Sequence, residues 1–83
     1  MPRYYFHVYN DDITHDDEGA EFADPDAARE RAIHEARILA ADSILREGHL
    51  VLDHCIEIED QAGAQVATIH FGDVVDVLKT DRG

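Results

Sequence analysis

The chain has 83 residues, of which 45% are hydrophobic and 31% charged, and its 19 acidic side chains outnumber seven basic ones, giving a formal net charge of −12 at pH 7. This composition is typical of one small folded domain over 1–83, and the acidic balance disfavours nucleic acid, whose phosphates need a concentrated basic surface. With a single cysteine, Cys55, and no apolar run of membrane-spanning length, we expect a cytoplasmic protein without disulfides or membrane contact.

The first element is a strand, RYYFHVYN, in which aromatic and β-branched residues alternate with period two. Its two faces carry different sets of side chains. Tyr4, Phe6 and Val8 fall on one face, and Tyr5, His7 and Tyr9 fall on the other.

The acidic stretch NDDITHDDEG, 10–19, follows this strand and holds five acids and one histidine. It is either a metal-binding loop or the solvent-exposed end of a hairpin. A short second strand around 13–15 or 20–22 closes such a hairpin, and the pattern leaves both positions open.

A long helix is predicted next. Asp24 is suited to cap its first turn, and Pro25 at the first helical position loses no hydrogen bond. The sequence through Glu47 is rich in Ala, Leu, Arg and Glu, and Gly48 is suited to end the helix. A weakly apolar stripe of small residues allows close approach to a sheet. It comprises Ala28, Ala32, Ala36, Leu39, Ala40 and Ser43, with Ile33 and Ile44 beside it.

The segments HCIEIED and AQVATIHF predict a second hairpin, for which two registers compete. A three-residue loop ending in a left-handed Gly63 places His54 opposite His70. A four-residue loop places Ile56 opposite Ile69 and gives the better apolar face, and we prefer it because a one-residue slip moves every side chain to the other face. GDVVDVL then predicts a short C-terminal helix capped by Asp73.

These elements predict an α+β fold, a β-β-α-β-β antiparallel sheet with one long helix packed on one face and a short C-terminal helix. A single helix covers a single face, so one row of the first strand is left over: Tyr5, His7 and Tyr9, or else the alternate row of Tyr4, Phe6 and Val8. An aromatic row on an uncovered face favours a partner surface, and we expect a homodimer. The expected contact residues are Tyr5, His7, Tyr9, Asp11 and Asp12.

Few residues have the type and spacing that would predict a metal site or a catalytic site. Placing Gly19 at the glycine position of a calcium loop puts Pro25 where the bidentate glutamate belongs, so that loop is excluded. A looser metal site from His15, Asp16, Asp17 and Glu18 has suitable donors, but adjacent residues of an extended chain point in opposite directions. No histidine spacing, nucleophile arrangement or glycine-rich loop predicts catalysis. We therefore expect no catalytic residues, no cofactor and no enzyme activity.

The segments RYYFHV, DDEGAEFADPDAARERA and QVATIHFGDVV together resemble a family of short bacterial proteins, common in soil alphaproteobacteria and catalogued only as a domain of unknown function. The resemblance implies no site residues. The order of elements is also similar to that of HicB-like antitoxins, which implies capture of a small basic protein by the acidic half. The hypotheses are a homodimeric interaction module, a metal-binding domain using His15 and its neighbours, and antitoxin-like capture.

Overall fold

A long helix lies across one face of an antiparallel sheet in this computed structural model, which describes residues 1–80. The elements are β1 (Arg3–Tyr9), β2 (Ile13–Thr14), β3 (Ala20–Glu21), α1 (Pro25–Glu47), β4 (Cys55–Asp60), β5 (Gln65–His70) and α2 (Phe71–Val74). The sheet order is β2-β1-β4-β5, and β3 also pairs with β1. The predicted α+β fold is confirmed, and both proposed positions for the second strand exist, each as a two-residue strand.

Helix α1 begins and ends at the predicted residues. The Asp24 side chain accepts a hydrogen bond from the backbone N–H of Ala27 at 2.8 Å, and Pro25 occupies the first turn. At the other end Gly48 has φ 73°, and its N–H donates to the carbonyl of Ile44 at 3.0 Å. This left-handed conformation is one that glycine adopts without steric cost.

The core lies between α1 and the strands β4 and β5, on which the helix packs. Four alanines one turn apart form the buried face of the helix, Ala28, Ala32, Ala36 and Ala40. Against them lie Ile56, Ile58, Ile69 and Phe71, all 3% exposed or less. Small side chains on the helix let it approach the sheet closely, so the large side chains of this core come mainly from the strands.

The register of the second hairpin combines the two predicted alternatives. Ile56 lies opposite Ile69, as burial requires, whereas nearer the turn Glu59 lies opposite Gln65, one residue out of step. An irregularity between Ile58 and Glu59 makes up the difference, as a β-bulge does. Gly63 has φ 85°, so the turn keeps its left-handed glycine while the strand keeps its buried face.

The predicted C-terminal helix is shorter than expected. Helix α2 ends at Val74, and Val75 is extended at φ −129° and ψ 143°. Asp73 lies inside the helix, so its predicted role as the cap is wrong; residue His70 takes the cap position without a side-chain hydrogen bond. The fully buried ring of Phe71 fixes where α2 begins, and the β-branched Val74-Val75 pair does not favour its continuation. Neither α1 nor α2 has the length and apolar character needed to cross a membrane.

Candidate functional site

The outer edge of β1 is closed by the segment 10–22. Strand β2 pairs with the end of β1 and β3 with its beginning, so the central residues Tyr5, Phe6 and His7 have no strand opposite them on this side. The N–H of Phe6 donates instead to Asp16 Oδ2 at 3.1 Å. A carboxylate thus takes the place of a strand carbonyl, and we call this border of the sheet the sealed edge.

Asp16 holds the segment in place. Its Oδ1 accepts hydrogen bonds from the backbone N–H groups of Glu18 at 3.1 Å and Gly19 at 3.0 Å, while Oδ2 accepts from Phe6. Burial raises the pKa of Asp16, but these hydrogen bonds, with the nearby His7, outweigh burial and leave the pKa below its ordinary value. Both oxygens of the ionised carboxylate are therefore committed to the backbone.

Gly19 allows the segment to return to β1. Its φ is 68°, and a Cβ at this position would lie 2.7 Å from the carbonyl oxygen of Tyr4. The Asp16-x-x-Gly19 spacing is typical of a turn in which an aspartate accepts from backbone groups two and three residues on. This signal was present in the sequence and could have identified Asp16 as a structural residue.

His7 is buried on the sheet face away from α1, 8% exposed, because the closing segment folds over it. Its Nδ1 accepts a hydrogen bond from the backbone N–H of Asp16 at 3.1 Å, and its Nε2 lies 3.5 Å from Glu59 Oε1. An imidazole that accepts at Nδ1 carries its proton on Nε2. Both nitrogens are engaged, so neither is free to act as a general base.

The geometry does not support the predicted metal site. The His15 ring packs against His7, with centroids 5.2 Å apart, and Asp16 is committed to the backbone. Asp17 and Glu18 are exposed. Within the described part of the chain, no group of three or more His, Cys, Asp or Glu side chains is arranged to hold a metal ion.

The sheet face away from α1 carries the remaining predicted contact residues. Tyr5 and Tyr9 are half-buried there, and by register they lie opposite Glu59 and Cys55 on β4. Burial, followed by the charge of Glu57, raises the pKa of the Cys55 thiol, and the same two causes lead in raising the pKa of Tyr9. A thiol with a raised pKa is a poor nucleophile near neutral pH. The face offers contact surface rather than reactive groups.

Asp11 and Asp12 lie at the tip of the hairpin and are exposed. Asp11 connects the tip to the loop between α1 and β4, with one oxygen 3.7 Å from His49 Nε2 and the other 3.7 Å from His54 Nε2. Sequence reasoning missed these contacts because no local pattern relates Asp11 to residues so distant in the chain. Asp12 is left to face solvent.

An apolar groove runs between α1 and β1, because the helix packs on β4 and β5 and leaves the inner side of β1 partly uncovered. Its volume is about 440 Å³. Most of its lining is apolar and comes from Phe6, Val8, Ala20, Phe22, Leu39 and Ile56. Arg31 and Glu35, paired at 3.0 Å, form its polar rim.

Strand β5 forms the opposite border of the sheet, which we call the open edge. The N–H of Phe71 donates to the carbonyl of His54 at 2.8 Å, so Ile69 and Ala67, two and four residues earlier, also turn their backbone groups toward β4. The intervening residues turn theirs outward. In the regular part of the strand those residues are Thr68 and His70, since Val66 is the residue that the irregularity of the hairpin leaves without a partner on β4. Nothing in residues 1–80 pairs with their outward backbone groups.

Residues 3–72 match the model of a family described as a domain of unknown function, DUF6894. The chain belongs to this family. No curated protein and no solved structure matches the chain. The match covers every strand and α1, and the family description assigns no activity, ligand or partner.

Proposed function

We propose that this member of the DUF6894 family is a homodimeric protein-interaction module that acts by contact rather than by catalysis. The observation that carries the proposal is the open edge, where strand β5 presents outward backbone donors and acceptors that no strand within residues 1–80 pairs with. An unpaired edge is a template for another chain, and natural domains that remain monomeric shorten it, charge it or cover it. The side chains with catalytic potential also support a role without catalysis, since His7 and Asp16 are engaged in hydrogen bonds within the domain.

The oligomeric state of the purified protein tests this function. Sedimentation equilibrium and light scattering from micromolar to several hundred micromolar concentration are expected to show a reversible monomer–dimer equilibrium. A strict monomer over this range contradicts the homodimer. Turnover of model ester, phosphate or glycoside substrates above the rate in buffer contradicts the non-catalytic part.

Capture of a basic protein is a second candidate function, favoured by the way the acidic segment is held. Asp16 and Gly19 fix its backbone, and four of its acids remain exposed: Asp11, Asp12, Asp17 and Glu18. A fixed array of like charges loses less conformational entropy on binding than a flexible one. It suits a basic surface, and its attraction falls as salt screens the charges.

A lysine-rich peptide is the probe for this second function. Binding measured by fluorescence anisotropy is expected to weaken with salt and to be lost in the triple variant Asp12→Asn, Asp17→Asn, Glu18→Gln. The matched control, Glu30→Gln, Glu47→Gln, Asp53→Asn, removes the same charge from exposed positions elsewhere. Equal loss of binding in both variants would show that only net charge matters and would rule out a dedicated acidic surface.

A further inference from the structure

We infer that the apolar groove between α1 and β1 is a binding site for a small organic cation that has an aromatic body and a single positively charged end. The residues that line the groove lie on β1, α1, β4 and the segment 20–22, away from the open edge, so this inference is independent of the proposed homodimer. The volume of about 440 Å³ lies within the range of about 300–1,000 Å³ that small-molecule sites occupy, and the lining is mainly apolar, as theirs is.

Helix α1 leaves the groove open at positions where it could fill it. Three residues one turn apart on this side of the helix line the groove, Arg31, Glu35 and Leu39, and only the last is apolar. Large apolar side chains at 31 and 35 would cover Phe6 and Phe22, which are instead half-buried in the wall of the groove. The groove therefore offers apolar surface that a ligand can cover.

Two phenyl rings form the aromatic part of the wall. Phe6 and Phe22 pack edge to face, with centroids 5.7 Å apart and an interplanar angle of 74°. An aromatic ring of a ligand can add to such a pair, because offset and edge-to-face contacts are favourable. The faces of phenyl rings also attract a cation rather than an anion.

The charges around the groove determine which sign of ligand charge it accepts. At the rim, Glu35 lies 3.0 Å from the guanidinium of Arg31 and neutralises it. Beyond Leu39 the groove adjoins a smaller polar pocket of about 160 Å³, since this leucine lines both. Four acids and one arginine line the smaller pocket: Asp11, Asp12, Asp42, Glu47 and Arg46.

Part of the acidic charge in the smaller pocket is uncompensated. Asp42 pairs with Arg46 at 3.6 Å, and Asp11 lies 3.7 Å from each of two histidines. Within residues 1–80, no basic side chain lies within 4.0 Å of the carboxylates of Asp12 and Glu47. A charged end of a ligand that reaches this pocket meets net negative charge, in a chain of net charge −12. An ammonium group is attracted there, and a carboxylate or phosphate is repelled.

Three probes that share one body and differ in the charge of the end group test the ligand class: phenylbutylammonium, phenylbutanol and phenylbutyrate. Titration followed by the amide chemical shifts in NMR gives both the dissociation constant and the location. The cation is expected to shift Phe6, Phe22 and Leu39 and to bind about tenfold more tightly than the alcohol, with the carboxylate weaker still. Added salt is expected to narrow the difference between the cation and the alcohol.

Two results of this titration overturn the inference. Equal affinities for the three probes contradict the selection of a cation. The absence of shifts at millimolar probe, or shifts confined to residues outside the groove, contradicts the site. Groove shifts that follow protein concentration without any probe would assign the groove to a second copy of the chain and would also overturn the small-molecule site.

Filling the groove tests the location. Glu35→Leu places an apolar side chain in the groove at little cost in helix propensity, and it is expected to raise the dissociation constants of the cation and the alcohol about tenfold or more. Glu30→Leu makes the same change in size and charge at an exposed position of α1 outside the groove and is expected to leave both unchanged. Circular dichroism establishes that both variants fold. Equal binding by the two variants overturns the assignment of the site to the groove.

Neutralising the smaller pocket tests the origin of the charge preference. The double variant Asp12→Asn, Glu47→Gln is expected to raise the dissociation constant of the cation about threefold to tenfold and to leave that of the alcohol unchanged. The matched control, Glu30→Gln with Asp53→Asn, removes the same charge from exposed positions elsewhere. An equal loss in the control would show that only net charge attracts the cation and would overturn the part of the smaller pocket in the site.

Discussion

The two borders of the sheet are built in opposite ways. At the sealed edge, two short strands pair with the two ends of β1, and between them the Asp16 carboxylate accepts from the outward N–H of Phe6. At the open edge, a six-residue strand presents its outward groups without a cover from the described residues. The borders also differ in charge, since five acids fall within 10–19 and none within Gln65–His70.

This difference shows where the domain resists contact and where it permits it. Charges and interrupted strands are the means by which natural sheets prevent edge-to-edge association. The sealed edge has both, whereas β5 carries no Asp, Glu, Lys or Arg and is interrupted only by the irregularity near its turn. The acidic residues are therefore unevenly placed. Those of the segment 10–19 lie along the sealed edge, where they oppose association, and strand β5 has none.

Removing the carboxylate at the sealed edge is expected to give the largest effect. Asp16→Asn loses the charge that accepts three backbone N–H groups and places an amide N–H₂ against at least one donor. The free energy of unfolding is expected to fall by about 3 kcal/mol. A hydrogen bond to a charged group contributes about 1.5–3 kcal/mol, and a backbone N–H that faces the new amide N–H₂ is left without an acceptor. Urea denaturation measures it. Asp17→Asn, at an exposed neighbour, is the control, and an equal loss there would show that Asp16 has no special role.

The return turn of the same edge is expected to show the next largest effect. Gly19→Ala forces a left-handed alanine and brings its Cβ to 2.7 Å from a backbone carbonyl, for an expected loss of about 2–3 kcal/mol. Gly63→Ala is the matched control, because Gly63 also has positive φ but has nothing within 4 Å of the added Cβ. Its expected cost is about 1 kcal/mol. Thermal melts that show equal losses would mean that steric contact at Gly19 contributes nothing.

Acid is expected to weaken the sealed edge specifically. The folded pKa of Asp16 is lowered, so its stabilisation is complete above the pKa of an unfolded aspartate, about 3.9, and is lost as the pH falls through the lower folded value. The difference in unfolding free energy between the unmodified protein and Asp16→Asn should therefore be constant near neutral pH and shrink below about pH 4. A difference that stays constant into strong acid would show that the charge is not involved.

The smallest expected effect concerns Cys55, on β4 beside the open edge. Burial and Glu57 raise its pKa, so less thiolate is present at mildly alkaline pH than for a free cysteine. Its reaction with Ellman's reagent is expected to be several-fold slower than that of Thr14→Cys in a Cys55→Ser background, where the thiol lies exposed beyond the sealed edge. Equal rates would contradict the raised pKa.

Local patterns in the sequence predicted much of the fold. Asp24, Pro25 and Gly48 gave the ends of α1 because capping depends on a few adjacent residues. The hairpin register was harder, because the turn and the buried face favoured different pairings. The register favoured by burial holds in the half of the hairpin away from the turn, and the register favoured by the turn holds next to it. The bulge between Ile58 and Glu59 that joins the two registers is not predicted by the hydrophobic alternation or by the turn residues.

The candidate site was less predictable, because its main contacts join distant parts of the chain. The density of acids in 10–19 suggested metal ligands, yet the role of Asp16 depends on the position of the Phe6 N–H in space. The alternation left open which row of β1 faces away from the helix; it is the row of Tyr5, His7 and Tyr9, and its centre, His7, is covered by the acidic segment itself. The open edge became visible only when the strand order was known, since the sequence of β5 alone does not tell a central strand from a border one.

For the proposed homodimer, the Asp16 carboxylate that accepts from the Phe6 N–H would also limit how many copies can assemble. A sheet with two free borders adds subunits at both ends and grows into a filament, whereas a sheet with one free border has none left after two copies have met. In the proposed homodimer, Asp16 would therefore limit the assembly to two copies. The acidic segments would then lie at the far ends of the pair, pointing away from each other.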